Sequence, residues 1–164
     1  MLPGTNCCSS NCRLVSAGVA ILVAALALAG CASTPQATAD SDAQAKQFGT
    51  HPGSATLFVY RADRSADGED SVLYVDDRLF GATLPGTYFR IDLDPGTHRI
   101  RGYGHDNGSL KIEARNGELV FVALAVLGGN SRFTRVDVQA GKRDVVRCCA
   151  LLENWAPGQR PLLR

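Results

Sequence analysis

Between residues 55 and 138 apolar side chains recur with a period of two, and turn signals cut the pattern into short lengths. Alternation of this kind places successive side chains on opposite faces of a strand, so the segment is committed to sheets rather than to a helix bundle. Residues 55–61, Ala-Thr-Leu-Phe-Val-Tyr-Arg, are β-branched or aromatic on both faces and are expected to form an inner strand. Residues 62–70 are polar and read as a loop, and residues 72–75 form the next strand. Asp76-Asp77 turns the chain so that residues 78–80 return along it, and Pro85-Gly86 breaks the pattern.

In residues 88–93, Phe89, Ile91 and Leu93 share one face, and Tyr88, Arg90 and Asp92 take the other. Asp94-Pro95-Gly96-Thr97 is a turn signal, and residues 98–101 are expected to come back as the partner strand of a hairpin. Matching apolar to apolar sets Ile91 opposite Ile100 and Asp92 opposite Arg99, with Arg90 beside Arg101. Residues 110–115 alternate, and Asn116-Gly117 is a strong two-residue hairpin signal. Residues 118–127 are almost wholly apolar and are expected to be central, buried on both faces. Gly128-Gly129-Asn130 turns the chain into a last strand over residues 132–138.

The tail changes period. Val145, Cys148, Cys149 and Leu152 fall at helical spacing, with Gly141 and Asp144 near the expected start, so a short helix covers one open side of the sheets. Seven or eight short strands followed by this helix predict an all-β, mainly antiparallel sandwich spanning residues 55–152. Residues 153–164 are expected to be a loose C-terminal tail.

The N-terminal region has a different character. Residues 14–28 are apolar apart from Ser16 and Gly18, a run that would be about 22 Å long as a helix. That is short for a bilayer span and suits a signal-peptide core. The run closes on Leu28-Ala29-Gly30-Cys31, which resembles the lipobox of bacterial lipoproteins. The resemblance implies cleavage between Gly30 and Cys31, a covalent diacylglycerol on the Cys31 sulfur and an N-acyl chain, palmitate among them. An uncleaved signal anchor, or an ordinary signal peptide with an incidental cysteine, is the alternative. Arg13 is the one charge before Cys31, and Cys7, Cys8 and Cys12 precede it in the segment to be discarded. Ala32 stands where aspartate tends to retain lipoproteins at the inner membrane, which favours the outer membrane with the domain facing the periplasm. Residues 1–30 are thus read as signal peptide and residues 31–54, rich in Ala, Ser, Thr, Gln and Asp, as a lipidated, disordered tether.

Charge narrows the partners. Lys and Arg number 17 against 16 Asp and Glu, and removal of residues 1–30 takes only Arg13, leaving a neutral chain. Neutrality of the whole chain gives no electrostatic case for nucleic acid or an acidic membrane face.

Two stretches resemble a known pattern. Tyr74-Val-Asp-Asp-Arg-Leu-Phe-Gly81 and Tyr88-Phe-Arg-Ile-Asp-Leu-Asp-Pro-Gly-Thr-His98 are similar to a repeat of PEGA-type surface modules, and of a bacterial lipoprotein family of unknown function. Asp77 stands where that repeat usually has glycine. The resemblance implies a transthyretin-like or PEGA-like β-sandwich and brings no catalytic residues.

Candidate chemistry is sparse. His98, His105, Asp106 and Ser109 invite a hydrolase reading, but Ser109 opens a strand and no Gly-x-Ser-x-Gly elbow exists. His98 is expected on the inner face near a strand end, as a satisfied core residue. Asp63, Asp67, Glu69, Asp70, Asp76 and Asp77 lack the spacing of a dedicated calcium loop and read as solvated carboxylates, so no metal is expected. Cys148 and Cys149 are adjacent, which disfavours a mutual disulfide, and they are expected to be small buried hydrophobes on the helix. Tyr88, Arg90, Arg101 and Tyr103 share one exposed face in the register above and form the candidate binding face. No catalytic residue and no cofactor beyond the Cys31 acyl chains is assigned. The expected function is a non-enzymatic module held at the membrane by its lipid, binding an envelope protein or peptidoglycan-associated partner. A structural subunit of an envelope-spanning machine, like the transthyretin-fold lipoprotein of type VI secretion, is the alternative, and an envelope hydrolase a remote one.

Overall fold

The computed structural model describes residues 34–63, 71–102 and 108–154. The chain divides into two units, Met1–Ser33 and Thr34–Arg164, and the described residues belong to the second. The signal segment, Gly30, Cys31, Tyr103, His105 and Asp106 lie outside them, as does the tail from Trp155 onward.

A short helix α1 (Ala39–Ala45) precedes strands β1 (Ala55–Arg61), β2 (Ser71–Val75), β3 (Arg78–Thr83), β4 (Thr87–Leu93), β5 (Gly96–Arg101), β6 (Ser109–Ala114), β7 (Leu119–Leu127) and β8 (Asn130–Val136). Helix α2 (Val138–Cys148) and the two-residue strand β9 (Ala150–Leu151) follow. The strands form two sheets, ordered β8-β7-β1-β4-β9 and β3-β2-β5-β6. The result is an all-β sandwich, mainly antiparallel, with parallel pairing where β1 meets β7 and β4 meets β9. Leu57, Val59, Leu73, Val75, Phe89, Ile91, Ile100, Ile112, Val120 and Val122 fill the space between the sheets. A second apolar layer joins Phe58, Tyr60, Tyr88 and Phe121 on the other side of the five-stranded sheet to Ala45, Phe48, Val145 and Cys149 beneath the helices.

Strand β1 is buried at all seven positions, as its two apolar faces require. Asp76 and Asp77 take φ of 49° and 61°, the left-handed pair that a tight β2–β3 hairpin needs, without the glycine of the resembled repeat. Gly128 and Gly129 do the same between β7 and β8.

Two expected hairpins do not form. Strand β4 pairs with β1, Ile91 opposite Leu57, while β5 pairs with β2 and β6, setting Ile100 opposite Val75 and Leu110. Asp94-Pro95-Gly96 therefore carries the chain from one sheet to the other. Both faces of β4 are apolar or screened, which suits the sheet covered on both sides, whereas β5 offers Arg99 and Arg101 to water. At Asn116-Gly117 only Gly117 has positive φ, and its N–H donates to the Ser54 carbonyl at 2.9 Å. The chain again changes sheet there, because β7 is needed beside β1. Strand β7 is buried through Val120, Phe121 and Val122, but its end is not, with Leu127 63% exposed.

Residues 34–54 are folded and not a tether. Thr38 caps α1, its hydroxyl accepting from the Ser41 N–H. Asp42 accepts from the Leu151 N–H at 2.9 Å, and the Ala37 N–H donates to the Leu151 carbonyl. Phe48 lies edge-on to Phe58 at 5.3 Å and to Phe121 at 5.7 Å. Mean polarity hid these few anchoring residues. Thr34 donates to the Ala82 carbonyl on β3, so the segment crosses the gap between edge strands β3 and β9 before it reaches α1.

Helix α2 starts earlier than expected. The Asp137 carboxylate caps it, accepting from the Gln139 and Ala140 N–H groups at 2.9 and 3.2 Å. Gly141 then falls inside the helix, where its lack of a side chain lets α2 sit on the Phe121 ring. Leu152 leaves the helix and enters the inter-sheet core. Elsewhere in a helix, Gly→Ala stabilises by about 1 kcal/mol. Gly141→Ala is expected to destabilise by about 1–3 kcal/mol instead, because its methyl would overlap the Phe121 ring. Urea unfolding of the two proteins checks the sign.

Candidate functional site

The four expected binding-face residues are not brought together. Tyr88 and Arg90 lie on the helix-covered side of β4, 1% and 5% exposed, and Arg101 belongs to the other sheet. Tyr103 lies outside the described residues. The expected face rested on the β4–β5 hairpin, and it dissolves with that pairing. The Tyr88 hydroxyl is 3.5 Å from the Asp42 carbonyl, and burial, with Asp42 beside it, pushes the phenol pKa up. Tyr60 is raised by burial and by its 2.9 Å hydrogen bond to Asp144.

Arg90 instead joins a buried polar cluster. Its guanidinium is 3.3 Å from both Asp92 carboxylate oxygens and donates to the Gly49 carbonyl at 3.2 Å. Asp92 also accepts from the Thr56 hydroxyl at 3.1 Å and meets His51 Nε2 at 3.3 Å. Single-sequence reading missed His51 because nothing local links residue 51 to residue 92; β1 brings Thr56 opposite Asp92. The cluster pins the connection after α1 to the sheet.

Of the acidic group, Asp63 is bound by Arg61 at 2.8 Å, and that hydrogen bond holds its carboxyl below the usual range. Asp67, Glu69 and Asp70 lie outside the described residues. Among the described residues no group of three or more His, Cys, Asp or Glu side chains is placed to hold a metal. Cys148 and Cys149 are joined in a disulfide between chain neighbours, contrary to expectation, where Cys149 leaves the helix for an extended conformation. Cys149 is buried, as expected, and Cys148 lines a cleft of about 310 Å³ with Ala62, Asp144 and Arg147.

The outward face of the four-stranded sheet is where exposed side chains converge. Tyr74 pairs with Arg101 across β2 and β5, and Arg99 pairs with Lys111 across β5 and β6. The Arg101 guanidinium stacks 4.3 Å above the Tyr74 ring and binds Asp77 at 2.9 Å. Arg101 thus keeps an aromatic partner, Tyr74, which stands in for the expected Tyr88.

His98 fixes one end of this face. Its Nδ1 is 2.6 Å from Asp76 Oδ2 and its Nε2 is 2.7 Å from the Asp94 carbonyl, while Asp76 Oδ1 accepts from the Arg99 N–H at 2.8 Å. A carbonyl only accepts, so Nε2 carries a proton; the imidazolium then satisfies Asp76 with its second proton. Burial works against that charge, but the Asp76 and Asp94 contacts outweigh it and raise the His98 pKa above 6.5. His98 is therefore a satisfied, half-buried residue that ties the Asp76-Asp77 turn to β5.

No family model matches the chain, and no solved structure matches it. The chain is similar to an uncharacterised protein of Haemophilus influenzae, 27% identical over 135 residues, covering 79% of this chain and 80% of that protein.

Because the folded pKa of His98 is raised, its contribution to stability is full below about pH 6.5 and is lost as pH rises through the folded value. Asp76→Asn keeps an acceptor for Arg99 but removes the charge. NMR titration of the His98 ring should show its pKa fall in this variant, and the alkaline loss of stability should shrink.

Proposed function

We propose that the chain is a lipoprotein, cut before Cys31 and acylated on that sulfur, whose sandwich is a non-enzymatic module binding an envelope partner from the periplasmic face of the outer membrane. The observation that carries this reading is the apolar N-terminal run that closes on Leu28-Ala29-Gly30-Cys31. Residues 14–28 are apolar apart from Ser16 and Gly18, about 22 Å as a helix, a length that suits a signal-peptide core rather than a bilayer span. The lipobox-like Leu28-Ala29-Gly30-Cys31 supplies the matching processing point. Two or more acyl chains, at about 0.8 kcal/mol per buried methylene, hold a domain to a bilayer where one chain binds only reversibly.

Binding is favoured over catalysis by how the two histidines among the described residues, His51 and His98, are used. Both ring nitrogens of His98 are taken by Asp76 and the Asp94 carbonyl, and His51 leans on an Asp92 already held by Arg90 and Thr56. These carboxylates hold the fold in place. The outward face around Tyr74, Arg99, Arg101 and Lys111 offers the aromatic and arginine side chains that recognition surfaces use.

Palmitate labelling in cells and intact mass test the anchor. The wild-type protein should carry label, lack residues 1–30 and enter the detergent phase, whereas Cys31→Ser should be unlabelled, uncleaved and unshortened. Equal mass and no label in either would defeat the reading.

A further inference from the structure

We propose that the partner of the outward face of the four-stranded sheet is an anionic phospholipid leaflet, on which that face lies. This rests on acylation of Cys31 and names the occupant of the surface described above.

Three peptide links separate Cys31 from Thr34, at most about 11 Å of chain. Thr34 is fixed to β3 through the Ala82 carbonyl, and β3 is the outer strand of the four-stranded sheet. A four-stranded sheet is only about 14 Å across. Acylation of Cys31 therefore keeps β3 within about 11 Å of the lipid-bearing residue and the far strand of its sheet within about 25 Å. The helices cover the opposite side of the five-stranded sheet, so they and this face cannot both lie on one leaflet.

The face carries three cations, Arg99, Arg101 and Lys111, against two carboxylates, Glu113 and Asp77, a net charge of +1. Arg99 and Lys111 are exposed and directly opposed, and like charges placed so repel. Among the described residues no carboxylate pairs with either. Glu113 is engaged by the Thr97 hydroxyl at 2.6 Å, and Asp77 by Arg101. Phosphate groups between Arg99 and Lys111 would turn that repulsion into attraction. Tyr74 beneath Arg101 has the amphipathic ring favoured at headgroup level, and Leu79 on β3 is 38% exposed beside it. The rival cations on α2 number three: Lys142 lies over the Phe48 ring, Arg147 is 3.9 Å from Asp144, and Arg143 is exposed.

The chain has three lysines, Lys46, Lys111 and Lys142, which makes amine acetylation a map of the face. The acylated protein is reconstituted into vesicles of phosphatidylcholine alone or with phosphatidylglycerol, and acetylation rates are read by mass spectrometry. On the anionic vesicles Lys111 should react about five-fold more slowly or less, with Lys142 unchanged. Arg99→Glu should restore the Lys111 rate while the protein stays membrane-bound. Equal Lys111 rates on both vesicles, or protection of Lys142 instead, would overturn the assignment. Protection of Lys111 that appears only on adding a periplasmic extract would give the face to a soluble partner and overturn it equally. Failure of the anchor reads out separately, as loss of partition into either vesicle, and removes the basis of this inference with it.

Discussion

Strand β1 has water on neither side. Leu57 and Val59 point into the space between the sheets, and Phe58 and Tyr60 point under the helices, so one strand serves two apolar layers. Each large side chain so buried contributes about 1.5–3 kcal/mol relative to exposure. The second layer exists only if something covers Phe58, Tyr88 and Phe121. That cover is α1, Phe48 and α2, with Phe58 and Phe121 stacked 4.9 Å apart at its centre. The segment before β1 is thus part of the fold, and the polar cluster of Arg90, Asp92, His51 and Thr56 holds it in place.

Covering one sheet on both sides leaves the other to carry the surface. Inward residues of β2, β5 and β6 close the inter-sheet core, so their alternate residues must face solvent. The Asp76-Asp77 turn bends over this sheet, where Asp76 binds His98 and the Arg99 amide, and Asp77 binds Arg101. These contacts tie the turn to β5, where Arg99 and Arg101, two residues apart, lie on one face. Position and charge of the face follow from the same division between a covered and an open sheet.

The alternation in residues 55–138 marked the strands, the turn residues marked the Asp76-Asp77 and Gly128-Gly129 hairpins, the apolar residues on both faces marked the burial of β1, and the helical spacing of the tail marked the terminal helix. Pairing did not follow. A turn rich in proline and glycine serves a hairpin or a passage between sheets equally well, and Asp94-Pro95-Gly96 and Asn116-Gly117 both make the passage. The choice is made by which strands are apolar on both faces, a comparison across the whole chain that no local window contains. The candidate face of Tyr88, Arg90, Arg101 and Tyr103 inherited the wrong pairing. Its surviving member, Arg101, takes Tyr74 as partner only because β2 lies beside β5.

By itself, then, the sequence determined the local chemistry: two-residue periodicity, the turn residues, the lipobox-like Leu28-Ala29-Gly30-Cys31 and a near balance of charge. Those properties depend on side chains a few residues apart. Only tertiary structure decided that Thr34 is latched to β3, that Phe48 closes the outer layer, that His51 meets Asp92, and that Arg99 stands opposite Lys111. Each of these joins residues whose separation along the chain carries no information about their separation in space. The packing of two sheets and a helical cover around one shared strand supplies it.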